Sequence, residues 1–206
     1  MAVLWKIERK IVNKIFFDTE FTGLHKDTTL ISIGLISEDG RQFYGECTDY
    51  DITQCDEWIK ENVLKHTHFS YGECHELNIK EDIVISNYHL GNKFSMKTMI
   101  TNWLRQFDTV EFVSDVCHYD FVLLIDLFGS AFDLPKQCCA ACYDINQDIA
   151  RKFNISQQEA FDKSREDILY NAYKENAVKG EKHNALYDAK VIRELYQILN
   201  NVNFNI

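Results

Sequence analysis

The chain has 206 residues, 46% of them hydrophobic, with a single proline, which suits one domain with a full core and excludes a disordered chain. Its net charge of −10 counts against a protein that grips nucleic acid by bulk electrostatics, although an acidic cluster neutralised by cations escapes that exclusion. Seven cysteines, three of them crowded at Cys138, Cys139 and Cys142, suit free thiols in a reducing cytosol better than a disulfide framework.

Met1 to Lys14 alternates apolar residues with Lys6, Glu8, Arg9, Lys10 and Lys14, unlike the unbroken apolar core of a signal peptide. No stretch approaches the ~20 apolar residues that span a bilayer, so a cytoplasmic protein without a membrane partner is expected. Ile11 to Phe17 reads as a buried strand and Leu30 to Ser37 as its neighbour. Glu38-Asp39-Gly40 is a turn signal, and Gln42 to Gly45 continues as a third strand of an antiparallel meander. Asp56 to His66 carries Trp58, Ile59, Val63 and Leu64 at helical spacing. Thr67 to Leu90 is polar and irregular. Ser95 is the expected N-cap of a helix running to Phe107.

Val110 to Val116 reads as a strand and Tyr119 to Phe128 as an apolar helix stopped by Gly129. Cys138 to Tyr143 is predicted as a short buried strand, Ile145 to Phe153 as a helix, and Asn184 to Leu199 as a final amphipathic helix. Three strands followed by alternating helices and strands indicate a single α/β domain over 1–206 with a mixed sheet.

Phe16-Phe17-Asp18-Thr19-Glu20-Phe21-Thr22-Gly23-Leu24 is the most informative segment. Two acids at i and i+2 on a strand share a face, and side by side they are costly unless a cation neutralises them. Solvated acids at a strand end are the plain alternative. Asp120 opens an apolar helix just past a strand, a position the helix dipole also favours in proteins without a site there. His183 stands five residues before Asp188 at the start of the last helix, where a capping or exposed histidine is as good a reading. Lys174, Lys179 and Lys182 form either part of a phosphate-binding rim or a solvated helix end.

Together, in order and spacing, the three segments resemble the DEDDh family of 3′→5′ exonucleases in the RNase H-like superfamily. Asp18-Thr19-Glu20 matches its first motif, Tyr119-Asp120 the second, and His183 followed by Asp188 the third. Phe17 to Phe21, Leu30-Ile31-Ser32-Ile33-Gly34, Tyr119 to Leu124 and His183 to Leu186 are similar to the small bacterial and phage 3′→5′ exoribonucleases of the Rv2179c-like type. The resemblance implies an RNase H-like fold and hydrolysis of nucleic acid from a free 3′ end. RNA is favoured, and single-stranded DNA is the alternative.

It also implies two divalent cations held by Asp18, Glu20, Asp120 and Asp188; oxygen-only ligands point to Mg²⁺ or Mn²⁺. His183 would act as general base, its unperturbed pKa near ~6.5 suiting work around neutrality. Glu20 would meet the terminal 3′-OH, with Thr19, Phe21, Leu24 and Asn184 as substrate contacts and Leu24 as a wedge against the last base. One departure is visible: many relatives place an asparagine a few residues before the second aspartate, where this chain has Ser114 and Asp115. Relatives are often homodimers, for which the 67–107 region offers apolar surface. A non-catalytic nucleic-acid-binding protein of the same fold is the reading from another class. Cys139-Ala140-Ala141-Cys142 has the spacing of half a zinc site, but free cysteines on a strand are the expected role.

Overall fold

Ile15, Phe16 and Phe17 are all fully buried, as befits a strand covered on both faces. They lie in β1 (Val12–Phe21), which pairs antiparallel with β2 (Leu30–Ser37), itself antiparallel to β3 (Gln42–Cys47). This is the predicted meander. The computed structural model describes residues 12–69, 83–85 and 87–200, so Ile11, Cys74 and the expectation of no signal segment at 1–11 lie outside the described residues.

After β3 the chain forms α1 (Glu57–Asn62), β4 (Ile83–Ile85), β5 (Tyr88–Gly91) and α2 (Lys93–Leu104). Then follow β6 (Thr109–Ser114), α3 (Cys117–Phe128), β7 (Cys138–Asp144) and α4 (Asn146–Phe153). The helices α5 (Gln157–Asp162), α6 (Arg165–Tyr173) and α7 (Ala185–Asn200) complete the described chain. The strands form one mixed sheet in the order β4-β5-β3-β2-β1-β6-β7, with β1, β6 and β7 parallel.

Alternation along β1 divides the core. Ile15 and Phe17 point into a cluster with Met96 and Ile100 of α2 and Leu124 of α3. Phe16 points to the other side, against Ile149 of α4, Ile168 of α6 and Ile192 of α7. By the same period of two, Asp18 and Glu20 follow Phe16 towards α7, while Thr19 and Phe21 follow Phe17 towards α3.

Several expectations are corrected. The 56–66 helix breaks after Asn62 into a short 3₁₀ turn at Leu64–His66. The N-cap of α2 is Asn92, whose side-chain oxygen accepts from the Ser95 N–H at 2.9 Å, and the helix ends at Leu104. The irregular 67–90 stretch holds β4 and β5. The strand at Cys138 is not buried: β7 is a sheet edge, with Cys139, Ala140 and Ala141 exposed. Both α5 and α6 escaped the periodicity reading, although Ser156 and Glu159 form a reciprocal capping box whose Ser-x-x-Glu pattern is visible in the sequence.

Candidate active site

β1 outruns its parallel neighbour. Pairing with β6 runs only from Val12 to Phe16, because β6 ends at Ser114 and the chain turns into α3. The last five residues of β1 therefore overhang a gap in the sheet, with the acids of one face and the helix of the other meeting there. Asp120, in the first turn of α3, reaches across this gap. It accepts from the Thr19 N–H at 3.2 Å and the Thr19 hydroxyl at 2.6 Å, and its other oxygen accepts from the Ser114 hydroxyl. The N–H that β6 no longer satisfies is satisfied by the side chain.

Asp188 arrives from α7, whose N-terminal backbone lies directly on Gly34 of β2. A Cβ at Gly34 would stand 2.3 Å from the Leu186 nitrogen and 2.4 Å from the Ala185 carbonyl oxygen. Gly34 is the residue paired with Asp18, so this close approach sets Asp188 over the first acid. Asp188 also accepts from the backbone N–H of His183 at 2.9 Å, and it sits in the first turn of α7, where the helix dipole favours an anion.

Carboxylate oxygens of Asp18, Glu20 and Asp188 lie within 4.8 Å of one another, and so do those of Asp18, Asp115 and Asp120. Burial first, then repulsion from neighbouring carboxylates, pushes Asp18, Glu20 and Asp188 well above the ordinary carboxylate range; for Asp188 the neighbours are Asp115 and Glu166. Burial lifts Asp120 to about 7 despite its hydrogen bonds. The acids thus sit close together at a cost that bound cations would remove, and their hard oxygen donors suit Mg²⁺ or Mn²⁺. Among the described residues, the candidate metal groups are acidic ones and none contains cysteine or histidine.

His183 adopts a left-handed backbone (φ 63°) that turns its ring into the cleft, edge-on to Trp58 with centroids 5.2 Å apart. Burial and then the neighbouring Lys182 hold its pKa below 6.5. The cleft encloses ≈ 800 Å³, and its lining includes Leu24, Trp58, Phe161, Lys163, Arg165 and Lys182. Leu24 is 76% exposed, so it is not the core residue it would ordinarily be. Trp58, read as part of a helix's apolar face, is 53% exposed instead.

The remaining expected substrate contacts have other engagements. Thr19 lines the cleft, but its hydroxyl holds Asp120. Phe21 stacks on Tyr119 at 5.2 Å. Asn184 is engaged as well: its side-chain oxygen caps α7 by accepting from the Tyr187 N–H, and its amide donates to the His66 carbonyl. Both polar ends are used within the fold, and it does not line the cleft. Of the three lysines, Lys182 reaches the cleft and pairs with Glu166 at 3.8 Å, while Lys174 and Lys179 do not line it. Asp115, Trp58, Phe161, Lys163 and Arg165 are site residues that sequence reasoning missed.

Solved structures share this architecture. The nuclease domain of 3′hExo, a DEDDh family member bound to rAMP, superposes with a TM-score of 0.60 at 11% identity, covering 94% of this chain and 95% of that one. The Mg²⁺- and Mn²⁺-bound form of S. pombe Pop2p gives 0.52 at 17% identity, over 92% and 82% of the two chains. At these identities the likeness establishes the RNase H-like fold. The 3′-5′ exoribonuclease Rv2179c of Mycobacterium tuberculosis is 39% identical over 51 residues, 25% of this chain and 30% of that protein. The match thus spans under a third of that curated relative's length. The profile of the 3′-5′ exoribonuclease Rv2179c-like domain, by contrast, covers residues 13–199, and the chain belongs to that family.

Proposed function

We propose that the protein is a metal-dependent 3′→5′ exoribonuclease whose single catalytic domain cleaves phosphodiester bonds from the 3′ end of RNA. One observation carries this reading: carboxylates from β1, α3 and α7 converge at the overhang of β1, beside a histidine in an open cleft. Family membership supports the polarity and the preference for RNA over single-stranded DNA.

Asp18, Glu20, Asp120 and Asp188 would hold two divalent cations, Mg²⁺ or Mn²⁺. Bound there, such ions supply charge neutralisation at the phosphate and lower the pKa of water. The protein's own groups do the rest. His183, kept neutral by burial, accepts a proton from the attacking water. Thr19 and Ser114 fix the Asp120 carboxylate. Leu24, Trp58 and Phe161 offer apolar surface to the terminal bases, and Lys163 and Lys182 positive charge to phosphates. Glu20 would meet the terminal 3′-OH.

We place the reaction in the cytoplasm, a reading supported by the free cysteines; among the described residues no helix is long and apolar enough to cross a membrane. A homodimer is proposed through the 67–107 stretch, where Phe94 is 79% exposed; light scattering tests it.

The decisive assay incubates the protein with 3′- and 5′-labelled single-stranded and duplex RNA and DNA, with Mg²⁺, Mn²⁺ or chelator. Stepwise shortening of 5′-labelled RNA that stops in chelator is expected. Asp18→Ala and Asp188→Ala should abolish it while melting cooperatively; wild-type rates in either variant would sink the assignment.

A further inference from the structure

The catalytic scheme above uses four acids, but a fifth lies among them. Asp115, at the turn between β6 and α3, has a carboxylate oxygen within 4.8 Å of oxygens of both Asp18 and Asp120. Its side chain is 15% exposed. One of its oxygens accepts from the Arg165 Nε at 2.9 Å, and the other makes no hydrogen bond among the described residues. Arg165, itself 12% exposed, is anchored elsewhere as well. It donates to the Ala160 carbonyl at 3.1 Å, the Phe161 carbonyl at 2.8 Å and the Asn146 side-chain oxygen at 2.6 Å.

Formal charge distinguishes the roles. Asp18, Glu20, Asp115, Asp120 and Asp188 carry five negative charges, of which two divalent cations neutralise four. Arg165 matches the fifth. Asp120, with hydrogen bonds from Thr19 on one oxygen and from Ser114 on the other, has its oxygens largely committed to the fold. Asp115 has an oxygen to give.

We propose that Asp115 is a direct ligand of the second cation, through the oxygen turned away from Arg165, and that Arg165 positions that carboxylate rather than competing for it. The inference rests on the exonuclease reading given above. It gives the second cation, beside Asp18 and Asp120, a protein ligand that the four-acid scheme lacks. It also ties the end of α5 and its connection to α6, which bring Phe161 and Lys163 to the cleft, to the metal site through one ion pair.

Titrating the purified protein with Mn²⁺, followed calorimetrically and by the loss of free Mn²⁺ signal in electron paramagnetic resonance, tests it without reference to turnover. Two bound ions are expected in the wild type. Asp115→Asn should retain the first and weaken the second at least ~10-fold, since losing even a group that only orients a ligand costs about 10–100-fold in metal affinity. Arg165→Gln, which spares the carboxylate but loses its anchor, should still bind two ions, the second more weakly than the wild type but more tightly than Asp115→Asn. Removing one partner of a shielded ion pair can unfold a protein, so the double variant Asp115→Asn/Arg165→Met, which leaves no orphaned charge, is measured alongside. It too should lose the second ion. Two ions bound with wild-type affinity by folded Asp115→Asn or by the double variant would overturn the assignment of Asp115. Weakening in Arg165→Gln as great as in Asp115→Asn would mean that the ion pair, and not direct ligation by the carboxylate, holds the second ion, and would overturn the assignment. No Mn²⁺ bound by the wild type would instead remove the metal-dependent reading beneath both.

Discussion

Asp120 is held from two directions, by Thr19 on β1 and by Ser114 at the end of β6. Thr19→Val keeps the strand-forming shape but deletes the 2.6 Å hydroxyl bond, leaving the carboxylate to the Thr19 N–H and the Ser114 hydroxyl and so less firmly held. We expect a fall in kcat of about 10-fold and a thermal midpoint lower by about 3–12 °C, since one hydrogen bond to a charged group is worth about 1.5–3 kcal/mol. His183 titrates below 6.5, so the acid limb of the pH–rate profile should lie below that value. Lys182→Gln removes a positive neighbour and should move the limb to higher pH. At the residue scale the acids and the histidine were legible because the period of two and the order of the motifs are local properties. Asp115 and Trp58 were not. An acid one residue past a strand looks like any other, and a tryptophan at helical spacing looks like core until neighbouring elements decline to cover it.

Glu46, on β3, shows how an element can carry a titration of its own. It is buried, and it accepts from the Tyr44 hydroxyl at 2.8 Å and from the His68 and Phe69 N–H groups at 2.5 and 3.1 Å, pinning the chain that follows α1. Burial raises its pKa to about 7 from the ordinary 4.5. Between those values the folded chain holds a proton that the unfolded chain has released, so stability falls as pH rises through the window. The loss totals about 3 kcal/mol. Denaturant melts at pH 5 and pH 8 in saturating Mg²⁺ should show it, and Glu46→Gln should flatten it. Among elements, the meander and α7 were read correctly from apolar periodicity. The pair α5 and α6 was missed because each is short, six and nine residues, so its stability comes from caps and from the core it meets. The 56–66 helix was overextended because Val63 and Leu64 are buried whether or not the turn stays α-helical.

Across the whole molecule, a chain of net charge −10 gathers five acids at one cleft. Cation binding should therefore stabilise it: at ion concentrations ~100-fold above Kd, the midpoint should rise by about 5 °C or more over the chelated protein, with protons released on binding. An unchanged midpoint would contradict the site. The same charge predicts that raising salt from 50 to 200 mM at fixed Mg²⁺ changes kcat/KM by less than ~10-fold, whereas a basic binder loses roughly 10³–10⁵ in affinity. Steady-state rates at the two salt concentrations decide it. The close seat of α7 on β2 has a bearing on how sequences of this kind are judged. A methyl group at position 34 would collide with the backbone at Ala185 and Leu186, and relief would lift the helix that carries Asp188. Gly34→Ala should cost about 1–3 kcal/mol in stability and most of the activity. Such a chain would still spell every acidic motif in order, so a homologue with all five acids and no glycine opposite the first of them would pass inspection as an enzyme and be inert.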